Sequence, residues 1–304
     1  MGVKRGYCGA VEKEVAFIIS ATLDSIRESD GGITGSLASM DLFLLYRLPI
    51  WVNGVFFVVV LLAAVEVGYR AGFRQRAVWK DAEAGGGNVV LTSMFGLLSL
   101  ILAFTFAAGV SRYEHRKQSV IADANALGTA FLRADMVAEP SRTELKKALF
   151  DYARARAIKT GKAFDQEQNR KFIQQSSRAQ AKLWPAIRKI LGQKQPSPIE
   201  TSLVAAVNDI IDIHTVRIAA FFDRLPRIVL VTLVFIAATS LAVAGFNAGI
   251  SGRMSRWRMT AVALVLAWVM LVILDFDRPS SGFIRVSQES IHAVIAEMEA
   301  DLAQ

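Results

Sequence analysis

Four long apolar runs constrain this chain more than any other feature: Leu48–Gly68, Val89–Val110, Ile228–Ile250 and Met259–Phe276. A helix rises about 1.5 Å per residue, so about 20 apolar residues cross the roughly 30 Å hydrocarbon layer of a bilayer. Each run is therefore read as a transmembrane span. The second has no charged residue, and its small residues Gly96, Ser99, Ala103 and Ala107 recur at helix-packing intervals. The third contains Gly245-x-x-x-Gly249, read as a close-packing contact. The fourth is the shortest and is expected to begin near Trp257, an interfacial residue type.

With 53% of residues hydrophobic and only 20% charged, the chain is too apolar for an ordinary soluble protein. Strand-type alternation is missing, so the expected fold is an all-α membrane protein: four transmembrane helices with a helical aqueous domain, or stalk, between the second and third. The expected organisation is a leader over 1–40, a membrane hairpin over 41–110, the aqueous domain over 111–226, a second hairpin over 227–276, and a turn with an amphipathic helix over 277–304. The leader carries charges throughout and lacks a long apolar core, which argues against a signal peptide, and with GGITGS before Met40 it is read as a disordered leader or a mis-assigned start, the natural start then being Met40.

After the second span no proline occurs before Pro140, and Val120, Ile121, Ala124, Leu127, Phe131 and Leu132 keep a helical stripe. The second span is thus expected to continue as one helix to about residue 134. Helix starts are signalled by Ser141 with Glu144, Asp165 with Gln168, and Ser197 with Glu200 and Pro198. Trp184-Pro185 should bend or end a helix over 165–192, while Gly161, Gly192 and QKQPSP mark loops. A stripe from Leu203 to Leu225 leads to Pro226, where a kink or break is expected.

One cysteine, Cys8, permits neither an intrachain disulfide nor a thiolate metal cluster. The net charge of +8 sits mainly beside the apolar runs, where lipid headgroups account for it without nucleic acid. No phosphate loop, nucleophile elbow or HExxH motif is present, so no enzyme, cofactor or metal is expected. Asp209, Asp212 and His214, with Asp123 or Glu114, have poor spacing for a metal site.

Polar residues within spans are costly, which singles out Asn53, Glu66, Asn247, Asp275 and Asp277. Glu66 with Arg70 reads as an i,i+4 pair, and Asp275 with Asp277 and Arg278 as a helix-end turn. If copies assemble around an axis, the second span is the best pore liner, with Gly96 and Ser99 along it and Phe104 and Phe106 as an apolar constriction. Arg112, His115, Arg116 and Lys117 would then ring a basic vestibule that attracts small anions. The ordinary alternatives are helix packing and lipid-headgroup contact.

Three stretches, Gly96–Asp135, Asp212–Leu230 and Ile273–Ile291, resemble the bestrophin-like family of bacterial membrane proteins. The most specific part is DRP-x-x-G-x-I-x-VSQ at Asp277–Gln288, placing Asp275, Asp277, Arg278, Pro279, Gly282, Ser287 and Gln288 in one boundary turn. The family is functionally uncharacterised as a class. Its analogy to true bestrophins, anion channels that assemble as oligomers, implies a homo-oligomer in a bacterial inner membrane, with a cytoplasmic central domain. Charge counts leave the side open, because Arg70, Arg74, Arg76, Lys80, Arg253, Arg256 and Arg258 in the short loops point the other way. Two functions follow: an anion channel, or a non-conducting scaffold or sensor whose helical domain docks a partner.

Overall fold

Long uninterrupted apolar stretches have no way to satisfy their backbone in lipid except as helices, and the chain obeys. Its computed structural model describes residues 48–79, 84–157, 166–191, 197–252, 254–278 and 282–303, with side chains at all of these except 77–79, 84–87 and 166–170. The 1–40 leader, Lys80, Gly161, the Asp165 cap, most of the QKQPSP loop, Arg253 and Pro279 lie outside the described residues.

In order, the helices are α1 (Ile50–Trp79), α2 (Ala84–Ala134), α3 (Ser141–Arg156), α4 (Gln166–Gln180), α5 (Leu183–Leu191), α6 (Pro198–Phe222), α7 (Arg227–Ser251), α8 (Arg256–Asp277) and α9 (Glu289–Leu302). Four of the described segments are long and apolar enough to cross a membrane: α1, the start of α2, α7 and α8. The chain is an all-α membrane protein.

α2 runs unbroken for 51 residues, roughly 75 Å at the helical rise. Its lower half and α6 form the stalk, and α3, α5 and α9 close a core of Leu127, Phe131, Leu149, Leu183, Val207, Ile210, Ile291 and Met298. α9 docks on this bundle: its Asp301 pairs with Lys146 of α3 at 2.7 Å, and the same ammonium meets Asp135.

Local chemistry sets the boundaries. Ser197 and Glu200 form a capping box, Ser197 Oγ accepting from the Glu200 N–H at 3.2 Å and Glu200 Oε2 from the Ser197 N–H at 2.6 Å. Pro226 splits the stripe as expected, with α6 ending at Phe222 and α7 starting at Arg227. Two boundaries differ from the sequence reading. Ser141 caps nothing; Glu139 accepts from the Thr143 N–H and hydroxyl instead, and Glu144 pairs with Lys189. The 165–192 helix breaks at 181–182, and Pro185 falls in the first turn of α5, where its missing N–H has no intrahelical partner to lose.

α1 and α7 cross at backbone contact. A β-carbon on Gly68 or Gly72 would overlap the carbonyl oxygens of Ala242 or Phe246, and one on Gly245 or Gly249 those of Val65 or Tyr69. The Gly245-x-x-x-Gly249 motif is therefore half of a reciprocal pair, answered by Gly68-x-x-x-Gly72.

Candidate functional site

The membrane half of α2 is the least covered span: only 11% of its apolar window is buried by the rest of the chain, against 39% for α7 and α8. Leu98, Thr105 and Gly109 turn inward, while Gly96, Ser99, Leu100, Ala103 and Ala107 share an exposed strip. Nothing lies within 4 Å of a β-carbon built on Gly96. Phe104 and Phe106 do not share a face. Two residues apart they stand about 200° apart around the helix, one on each flank of the strip. Phe104 is 68% exposed, whereas Phe106 packs edge-on against Phe276 of α8 at 5.6 Å.

The expected basic ring also divides. Arg116 is buried, and its guanidinium donates to four carbonyls: Ala220 (3.1 Å), Phe276 (2.9 Å), Asp223 (2.8 Å) and Asp277 (3.2 Å). It caps the C-terminal ends of α6 and α8 together, where unpaired carbonyls and both helix dipoles favour a cation. Its charge is spent inside the fold, not on a vestibule. Arg112 is half-buried and pairs with Asp223 at 3.2 Å; His115 and Lys117 are exposed.

Beside this clamp lies the boundary turn. Asp275 accepts from the N–H groups of Phe283 (3.0 Å) and Ile284 (2.8 Å). Gly282, at φ 129°, lies so close to that carboxylate that no β-carbon would fit. Asp277 Oδ1 accepts the Leu225 N–H at 2.7 Å, tying the α6–α7 break to the end of α8. Ser287 Oγ accepts from the Glu289 N–H at the start of α9.

One cluster escaped the sequence reading. Asp123 of α2, Arg156 of α3 and Arg217 of α6 meet in the bundle, with Arg156 and Asp123 wholly buried. Asp123 Oδ2 accepts from Arg156 Nε (2.9 Å) and Arg217 Nη1 (2.6 Å), and Arg217 Nη2 reaches Gln288 Oε1 at 2.7 Å. Below it, Tyr152 and His214 Nδ1 share a hydrogen bond of 2.9 Å. Burial first, then Arg156, pushes His214 down to about 3, and burial raises the Tyr152 phenol. Asp209 and Asp212 are exposed, on another face from His214. The cluster had a signal: Arg217 continues the core positions Leu203, Val207, Ile210 and His214, and Arg156 continues Leu145, Leu149 and Tyr152. A charge in core register is a buried charge.

A family model for the bestrophin-like domain matches residues 54–291. The chain belongs to the bestrophin-like family. Solved structures agree with that fold. Two mutant crystal structures of a bacterial bestrophin homologue from Klebsiella pneumoniae resemble this bestrophin-like chain with TM-scores of 0.56 and 0.57 at 10% identity. They cover 80% and 84% of this chain and 99% and 98% of their own. A third crystal structure, described as a membrane protein, gives 0.59 at 9% identity over 84% of this chain and 99% of its own. No curated protein sequence matches. In this bestrophin-like chain the stretch that carries the resemblance is a fastening: Asp275, Gly282, Asp277 and Gln288 hold α8, the α6–α7 break and the stalk to one another.

Proposed function

We propose that the chain is one subunit of an oligomeric, anion-permeable channel in a bacterial inner membrane, with α2 lining the pore and the helical domain in the cytoplasm. The observation that carries this is the nearly bare, charge-free membrane half of α2, continuous with the stalk. A span left uncovered by its own chain and lined with small residues suits a ring of like helices around an axis. Gly96, Ser99, Ala103 and Ala107 would face that axis. Phe104 would narrow it from the flank and resist wetting. Lys117, exposed beside His115, would supply positive potential at its mouth, with Arg112 there offset by its Asp223 partner and Arg116 turned inward.

Planar-bilayer recording of purified protein under a chloride gradient tests the reading. The expected result is a current reversing near the chloride potential, enlarged by Phe104→Ala and made less chloride-selective by Lys117→Glu. Silent bilayers with confirmed oligomer insertion would favour the scaffold whose helical domain docks a partner, a reading in which α9 rests on that domain as it does here.

A further inference from the structure

Away from α2, a cavity of about 220 Å³ opens where α1 meets the start of α8 and the residues that lead into it from α7. Leu62, Val65, Met254 and Met259 give it apolar walls, and Glu66, Arg256 and Thr260 give it polar groups. Trp257, 74% exposed beside Arg256, is a residue type that settles at headgroup level, which places the cavity at the boundary between hydrocarbon and water. Its polar groups are incompletely served by the protein. Glu66 Oε1 accepts from Arg70 Nε at 2.8 Å, and no hydrogen bond from the described residues reaches Oε2. Arg256 lines the same space yet forms no ion pair with Glu66 or with any other described acid. The Thr260 hydroxyl makes no hydrogen bond among the described residues, whereas those of Thr105, Thr239 and Ser240 each donate to the carbonyl four residues back.

Opposite charges thus share one cavity without pairing. An occupant that serves all three groups carries an anion for Arg256 and Thr260 and a cationic donor for Glu66. A phosphate alone would bring its charge against the Glu66 carboxylate, and water would leave the apolar walls wet. Those walls belong to two membrane-spanning helices, which suits an occupant with acyl chains. We infer that the cavity seats the headgroup of a phosphatidylethanolamine-class lipid, its phosphate on Arg256 and Thr260 and its primary ammonium on Glu66. Both contacts are charge-assisted hydrogen bonds. A choline headgroup has no N–H to donate, and a glycerol headgroup has no cation. The bound lipid fastens the start of α8 to α1, and the site is independent of the proposed pore.

Native mass spectrometry of the full chain, released from detergent micelles and titrated with dioleoyl phosphatidylethanolamine, phosphatidylcholine or phosphatidylglycerol, tests this. The first ethanolamine lipid is expected to bind about 10-fold more tightly than either of the others, the scale of one charge-assisted contact. Glu66→Gln should bring it down to the choline lipid, and Arg256→Gln should weaken both. Glu66→Lys should make the glycerol lipid the tightest of the three, a gain that misfolding cannot produce. Soluble phosphoethanolamine, lacking acyl chains, should not displace the lipid at equal concentration. Equal affinities for the three lipids in wild type, or an ethanolamine preference unmoved by Glu66→Gln, would overturn the inference and put any bound lipid elsewhere. Displacement by soluble phosphoethanolamine at equal concentration would overturn it in favour of a free phosphoester. Because the readout is lipid binding, a silent bilayer leaves this result unaffected.

Discussion

At the scale of single residues, Gly282 and His214 make the sharpest demands. Gly282 combines a left-handed φ with a carboxylate where its β-carbon would be, so Gly282→Ala is expected to cost about 1–3 kcal/mol or more. Urea or detergent titration of the purified protein measures it; an unchanged midpoint would show that the Asp275 turn is not under that constraint. His214 is held neutral with a value of about 3 in the fold, against an ordinary 6.5. Between those values the unfolded chain takes up a proton that the folded chain refuses, so stability falls as pH drops from about 6.5 toward 3. His214→Asn, which keeps a polar group near Nδ1, should flatten that part of the pH profile relative to wild type. Parallel profiles would mean that His214 does not contribute. Residues are also where the sequence was least legible. Arg116 reads as one member of a basic run, and only the convergence of α6 and α8 ends reveals it as a clamp. No spacing along α2 alone could show which carbonyls would arrive.

At the scale of helices, the sequence was far more transparent, because hydrophobic length and cap chemistry are local. The 51-residue α2, the Ser197 box and the break at Pro226 all follow from residues within a few turns of the boundary. The failures were equally local in cause: Glu139 outcompetes Ser141 for the Thr143 N–H. The α1–α7 crossing lay between the two cases. One glycine pair was visible, and its partner was hidden because Gly68 and Gly72 straddle the end of the apolar run. The contact predicts an asymmetry. Gly245→Ala should destabilise by about 1–3 kcal/mol through overlap with the Val65 carbonyl. Gly96→Ala, with open space around it, should be neutral or stabilising by up to about 1 kcal/mol. Matching losses for the two would argue that the crossing is looser than its geometry.

At the scale of the whole molecule, the architecture was legible and the assembly was not, since a single chain shows a bare helix face but not what covers it. Cross-linking addresses this directly. In a Cys8→Ser background, which removes the chain's only thiol, Ala103→Cys on the exposed strip should give a disulfide-linked dimer under mild oxidant in membranes. A monomer band alone would sink the α2-centred ring. The two routes between membrane and stalk differ in stiffness. α2 crosses as a single rod, whereas the return path is cut at 223–226, where the Asp277 hydrogen bond, the Arg112–Asp223 pair and the Arg116 clamp are among its ties. Torque applied to the stalk therefore passes through α2 as through a drive shaft, while the return path transmits it only through the side-chain ties that bridge its joint.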